Sequence, residues 1–379
     1  MNFASTEEQE LIAAALARFV ERDYAFDQRQ AIVSSADGYS AAVWRTMADL
    51  GLLGLALPTD CGGLGGGAVE SMSLMDAIGS ALIVEPWLAC TGVAAQLVAR
   101  GGTNAQRRRI LPSVVDGTLK LAFADLEADA AQCVTPVKMR AQRVEGGYAI
   151  SGVKRAVPYG AASDLLVVSA CRNETGALGL LLVPATAPGV AFRAVRMLDG
   201  TRAADVSFDR VRVPGDAWLD AASDAPSVID EVTDFATALL CAEAVGAIRS
   251  ANDDTLEYLK TRRQFGVPIG SFQALQHRMV DLVIEYEQAK SMAALACSAV
   301  DGERGVRTRA RKVSAAKVRV SEACRRVSQE SVQLHGGMGM SDELKISHTF
   351  RRLTAIAQQF GGVDHHLERF SELSRTNAT

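Results

Sequence analysis

The stretch from Thr261 to Gly339 limits what this chain can become more than any other. It opens Thr261-Arg262-Arg263-Gln264-Phe265-Gly266-Val267-Pro268-Ile269 and continues through Phe272-Gln273-Ala274-Leu275-Gln276-His277. It closes on Gln333-Leu334-His335-Gly336-Gly337-Met338-Gly339. Arginine offers a fixed fork of donors that suits phosphate. A glycine pair lets backbone N–H groups approach a pyrophosphate with no Cβ in the way. Paired arginines before an aromatic, a Gly-x-Pro turn, a Phe-Gln helix start and a late Gly-Gly turn therefore read as an anion-binding set.

The chain has 379 residues, enough for two or three structural units and a sizeable core. A net charge of -4 supplies no overall basic field for nucleic acid. Apolar runs such as Leu178-Gly179-Leu180-Leu181-Leu182-Val183 are far too short to span a bilayer. The opening residues lack a basic start and an apolar core. They read Ser5-Thr6-Glu7-Glu8, a capping-box pattern and not a secretion signal. Seven cysteines without Cys-x-x-Cys spacing suggest reduced thiols in the cytoplasm. The five histidines are scattered, with only His365-His366 adjacent, and no spacing points to a metal.

Along the chain, Glu7 to about Gln30 has the helical period, and a second helix is expected over Ala41–Leu50. The run Cys61-Gly62-Gly63-Leu64-Gly65-Gly66-Gly67-Ala68 fits a dinucleotide fingerprint, with Glu85 at a ribose-contact distance. That motif has meaning only in a strand–turn–helix–strand unit. Here Trp44–Leu50 before it looks helical, and Val69–Ser80 after it is followed by another helix-like run, Leu88–Arg100, and not by a strand, so a glycine-rich turn between helices is the better reading. From Leu119 the pattern changes to strands: Tyr148–Gly152, Leu165–Ser169, Leu178–Val183, Val190–Val195 and Ala204–Val213. From Ser227 it is helical again, with an apolar stripe through Phe272, Leu275, Met279, Leu282, Val283, Tyr286 and Ala289. The basic residues between Arg304 and Arg326 read as a solvated helix face. The expected fold is α+β: an N-terminal helical domain over 1-118, a middle antiparallel β domain over 119-217, and a C-terminal helical bundle over 218-379.

On the series Arg-x-x-Phe-Gly, Phe-Gln and Gln-x-x-Gly-Gly, in this order, the chain resembles the flavin-dependent acyl-CoA dehydrogenases over nearly its whole length. The resemblance implies the same helix–β–helix architecture, FAD as cofactor and an acyl-CoA thioester as substrate. It implies α,β-dehydrogenation: a carboxylate takes a proton from Cα while hydride passes from Cβ to the flavin. In that family the flavin lies across a subunit interface. One chain supplies the ring site and the base, and its mate supplies contacts to the phosphate–adenine tail. Of the paired arginines, Arg263 is the one that the resemblance implies would pair with the pyrophosphate, and Phe265 would pack beside the adenosine end. Gln273 and Gln333 would be polar partners, and the Gly336-Gly337 backbone would approach closely.

The other half departs from the family's pattern. Ala124 stands where a Thr-Glu-Pro segment would place its hydroxyl. After Gly152-Val153-Lys154 the chain reads Arg155-Ala156-Val157-Pro158, and Pro158 has neither N–H nor hydroxyl to donate. The base is absent from both family locations: Phe360 occupies the carboxylate's place in the turn after the last long helix, and Ala236 stands at the second. Loss of a positioned base costs about 10²–10⁴ in rate. Two acids are substitutes to weigh. Glu243 reads chiefly as a structural carboxylate, and Asp234 as one facing solvent or a helix end.

An intact tail half beside a degraded ring half resembles the base-lacking small subunit of heteromeric acyl-CoA dehydrogenases. The resemblance then implies an α2β2 assembly with a homologous partner subunit, electron-transfer flavoprotein as acceptor, and bulky thioesters such as steroid side chains or dicarboxylates, or fatty acids, as substrates. A homo-oligomer with a displaced base, and a non-catalytic scaffold of the same fold, are the alternatives.

Overall fold

The computed structural model describes residues 7–127, 137–219 and 224–375. Ser5 and Thr6 of the expected capping box lie outside them. In chain order the first helices are α1 (Glu7–Asp23), α2 (Phe26–Ser34), α3 (Ala41–Asp49), α4 (Ala68–Ala81), α5 (Ala95–Gly101) and α6 (Asn104–Val115). Seven strands follow: β1 (Leu121–Ala124), β2 (Arg140–Val144), β3 (Gly147–Pro158), β4 (Leu165–Arg172), β5 (Leu178–Pro184), β6 (Val190–Arg196) and β7 (Arg202–Pro214). The rest comprises α7 (Ala225–Thr261), a hairpin of β8 (Arg263–Gln264) and β9 (Val267–Pro268), then α8 (Gln273–Gly302), α9 (Val306–His335), α10 (Lys345–Gln358) and α11 (Val363–Arg375). The chain divides into two compact units, one of residues 1–31, 68–83 and 237–379, the other of 32–67 and 84–236.

Two expected helices are broken. The single helix expected over Glu7–Gln30 is α1 and α2, because the Gln28 side chain accepts from Ala25 N at 3.0 Å and starts a new helix. The run Leu88–Arg100 is a π-helical turn, Leu88–Ala94, followed by α5. Elsewhere side chains start helices: Ser40 caps α3, and Thr103 with Gln106 forms a capping box on α6.

In the second unit the sheet runs β1-β4-β2-β3-β7-β6, with β5 on the free side of β4. It is mainly antiparallel, but β1 and β2 both run parallel to β4. β2 has no apolar alternation, reading Arg-Ala-Gln-Arg-Val, which is why the sequence pattern does not reveal it. Ala124, Ile150, Val168, Leu181, Val206 and Trp218 sit in its core. Gly179 makes room for Trp218, since a Cβ there would lie 2.5 Å from the indole.

The first unit is a helix bundle. At the α4–α7 crossing, a Cβ on Gly79 would lie 1.9 Å from the Glu243 carbonyl oxygen, and one on Gly246 2.0 Å from that of Asp76. Only glycine permits backbones that close. α9 packs against α8, α10 and α11. Its basic residues are not simply a solvated face: Lys317 is fully buried and Arg309 nearly so. Arg319 pairs with Glu285, while Arg326 bridges Glu285 at 2.9 Å and Asp281 at 3.0 Å. The apolar stripe of α8 also differs from expectation. Met279, Leu282 and Ala289 are buried, but Phe272 and Val283 are 40% and 46% exposed, beside exposed Val280 and Ile284.

The fingerprint-like glycine run is structural. The amides of Ala68 and Val69, at the start of α4, bond the two Asp301 carboxylate oxygens at 2.9 and 2.8 Å. A carboxylate already fills the position a pyrophosphate would need. Gly63 packs so tightly on Leu57 that a Cβ would lie 2.2 Å from its carbonyl oxygen.

Candidate functional site

α7 ends at Thr261, and the chain reverses through the β8–β9 hairpin, whose pairs are Arg263 with Pro268 and Gln264 with Val267. The reversal needs positive φ at Phe265 (55°) and Gly266 (82°). Phe265 thereby projects outward, 91% exposed, with its ring edge-on to Phe272 at 6.1 Å. Arg263 is exposed and donates once within the protein, to Gly266 O at 3.2 Å. Its remaining guanidinium donors have no protein partner among the described residues. Gln273 and Gln333 are exposed and make no side-chain hydrogen bond among the described residues.

α8 starts immediately after Phe272, and no side chain caps it. Its first amides carry the helix's positive end unneutralised. At the end of α9, Gly336 turns the chain at φ 61° and ψ −142°, a region essentially confined to glycine. Gly336 and Gly337 are exposed, with no atom within 4 Å of a Cβ built on either.

One aromatic contact spans these separated pieces. Tyr258, one turn before the hairpin, stacks on His335 with ring centres 4.4 Å apart. Tyr258 O accepts from Arg262 N at 2.8 Å, and His335 directly precedes the glycine pair. A cavity of about 410 Å³ lies alongside, lined by Leu256, Leu259, Lys260, Pro268, Gly270, Gln276 and Met279. An exposed arginine, an uncapped helix start and an open glycine turn suit a phosphodiester chemically.

The turn after α10 is built very differently. Phe360 is half-buried and holds φ 58°, and Gly361 follows at 105°. The buried Lys317 donates to Ile356 O at 2.6 Å, among the last carbonyls of α10, where a cation is favourable. His366 bonds Phe360 O through Nε2 at 3.0 Å and Ser314 Oγ through Nδ1 at 3.3 Å. Burial pushes the His366 pKa down to about 3, so the ring is neutral and its Nε2–H donates to the carbonyl. The turn is thus held firmly around a half-buried phenyl side chain.

The substitute acids are committed elsewhere. Glu243 is buried and paired with Arg352 at 2.6 Å. Asp234 is buried within α7, contrary to the expected solvent-facing position. Ala236 and Thr237 are also buried, and neither is acidic.

In the sheet unit, Ala124 is fully buried and Pro158 is exposed at the end of β3. Sequence reasoning missed the residues that organise this region. Lys154 is fully buried and donates to Asp125 O (2.9 Å), Glu127 (2.8 Å) and Ser169 Oγ (2.9 Å). Burial lowers its pKa, opposed by Glu127. A register shift between Lys154 and Val157 leaves Ala156 at φ 48°, with its N–H on Asp205 at 3.0 Å. Asp205 is held well below the usual carboxylate range, first by Arg193, then by that N–H and by Arg155. The Gly-x-Lys spacing was the available signal for Lys154, and nothing local marked Asp205.

The six described cysteines are buried and free. Among the described residues no cluster of His, Cys, Asp or Glu could hold a metal, and no helix is long and apolar enough to cross a membrane.

Comparison with known proteins gives a consistent set of likenesses. Residues 6–118 match the acyl-CoA dehydrogenase N-terminal domain, and residues 227–368 match the acyl-CoA dehydrogenase C-terminal domain. The chain is 30% identical over 370 residues to acyl-CoA dehydrogenase FadE12 of Mycobacterium tuberculosis, covering 94% of this chain and 93% of that protein. Among solved structures it resembles a variant of the Tcur3481-Tcur3483 steroid ACAD (TM-score 0.87, 30% identity, covering 98% of this chain and 99% of that one). It also resembles the ChsE4-ChsE5 complex from Mycobacterium tuberculosis (TM-score 0.87, 25% identity, 100% of both chains).

Proposed function

This chain belongs to the acyl-CoA dehydrogenase family, whose members use FAD, and we propose that it is the supporting subunit of a heteromeric member. It completes the FAD site of a homologous partner and carries no base of its own. What supports this reading is the firmly held turn that carries Phe360, where the family resemblance would put the carboxylate, in a chain whose phosphate-suited residues stand exposed. A ring-site half ending in buried Ala124 and in Pro158, which cannot donate, supports it further.

The chemistry FAD supplies is hydride acceptance from Cβ of an acyl-CoA thioester. This chain's part is binding. Arg263 pairs with the pyrophosphate, the open Gly336-Gly337 backbone and the start of α8 approach it, and Phe265 covers the adenosine end, with Gln273 and Gln333 as polar partners. Glu243, engaged by Arg352 in the helix core, has a structural role. The exposed apolar face of α8, Phe272 with Val280, Val283 and Ile284, suits burial against the partner. The three modules are residues 1–118, 119–217 and 218–379, and the assembly is α2β2 in the cytoplasm, with electron-transfer flavoprotein as acceptor. Relatives described as a steroid ACAD and as a two-protein complex favour bulky thioesters and a heteromer.

The test is expression of this chain alone and with a same-fold partner encoded nearby. Flavin colour and acyl-CoA turnover only on co-expression are expected. Yellow protein with turnover from the single chain overturns the reading in favour of a homo-oligomer with a displaced base. A colourless complex would make this chain a scaffold.

A further inference from the structure

The clasp just described has two parts far apart in sequence, and the structure joins them through one aromatic pair. His335 is buried, its Nδ1 bonded to Ser331 O at 2.8 Å. Since a carbonyl oxygen only accepts, that bond keeps a proton on Nδ1, which donates to it, and fixes the ring across the end of α9. Tyr258 stacks on this ring at 4.4 Å with the planes 26° apart. Each partner lies next to a phosphate-suited element. Tyr258 O accepts from Arg262 N, at the entry to the hairpin that carries Arg263, and His335 precedes Gly336. The hairpin is tied further by Ile269 N, which bonds Arg262 O at 2.8 Å, and by the close seat of Gly270 on Leu259. The glycine turn has nothing comparable on its outer side, where Gly336 and Gly337 are open. Gly339, further on, is seated against Val332.

We propose that Tyr258 is a positioning residue that, through its stack on His335, holds the Gly336-Gly337 turn in register with Arg263, so that the two parts bind the pyrophosphate as one unit. This rests on the reading that these residues hold the FAD tail. Neither ring needs to touch the cofactor. Without the stack, the arginine and the glycine turn would each remain folded but would no longer be presented together, and the cofactor would have to order them on binding.

The experiment is FAD titration of the assembled, deflavinated complex carrying Tyr258→Leu, Tyr258→Phe, Arg263→Ala, and Tyr258→Leu with Arg263→Ala. Tyr258→Leu is expected to weaken FAD about fivefold to tenfold, the scale of one aromatic pair. Tyr258→Phe keeps a ring on His335 and is expected to stay within about twofold. In the Arg263→Ala background the Tyr258→Leu effect is expected to shrink below about twofold, because residues acting as a unit are not additive. Should Tyr258→Leu fail to fold, His335→Ala reads the same loss, and His335→Phe its rescue. Additive effects, or native affinity in Tyr258→Leu, overturn the proposal while leaving the tail-binding reading intact. Native affinity in Arg263→Ala overturns both.

Discussion

Replacing Gly337 with alanine separates binding from folding. No atom lies within 4 Å of the Cβ this substitution adds, and Gly337, unlike Gly336, does not hold a positive φ. Nothing in the chain resists the methyl group, so stability should change by no more than about 0.5 kcal/mol. A phosphate brought against the same backbone would meet the methyl group and lose at least one charge-assisted N–H bond. Such a bond contributes about 1.5–3 kcal/mol, which weakens FAD about tenfold to a hundredfold. Gly336→Ala should behave differently: at φ 61° and ψ −142° a Cβ is strained whether or not ligand is present, at a cost of about 1–3 kcal/mol. Urea unfolding of the chain and fluorescence titration of the complex with FAD give the two readings. A Gly337→Ala complex that binds FAD as tightly as the native one refutes the close approach of this turn to the cofactor. A marked loss of stability refutes the open surroundings on which the argument stands.

Further outcomes follow from the buried groups. Arg352→Met leaves the buried Glu243 unpaired and should cost about 3–5 kcal/mol in urea unfolding, whereas Glu243→Gln should leave turnover by the complex within about threefold, against the 10²-fold or larger loss expected of a base. His366 titrates near 3 when folded, far below its ordinary 6.5, so the unfolded chain binds the proton first. Stability should therefore fall as pH drops from about 6.5 toward 3, by up to about 1.4 kcal/mol per pH unit. His366→Gln should flatten that part of the profile. Gly79→Ala should force α4 and α7 apart and lower stability by about 1–3 kcal/mol or more, read by thermal unfolding.

Much of the fold was legible because periodicity changes where the architecture changes. The strands β3 to β7 lie where apolar alternation or short apolar runs put them, and the long helices where the 3.6-residue period puts them. β2 was not legible, since its side chains are mostly polar and show no alternation, although it forms a tight hairpin with β3; its other pairing, to β4, is with a strand further along the chain. The break between α1 and α2 turns on one Gln28 side chain, which periodicity does not register. In the site, the composition of the hairpin and of the Gly-Gly turn was readable, but their connection through Tyr258 and His335 was not. An aromatic at helical spacing looks like core until its partner is known. Lys317 and Arg309 read as part of a solvated basic face because a sequence shows charge and not burial. Glu243 could be read as structural, but its partner Arg352 could not, being about a hundred residues away.

The most direct test is the number of flavins per chain in the purified complex, by absorbance against protein mass and by native mass spectrometry. The account predicts one FAD for each pair formed by this chain and its partner, bound more weakly when Arg263 is replaced by alanine here. A flavin for every chain, with turnover retained after the partner's own base is removed, would contradict it.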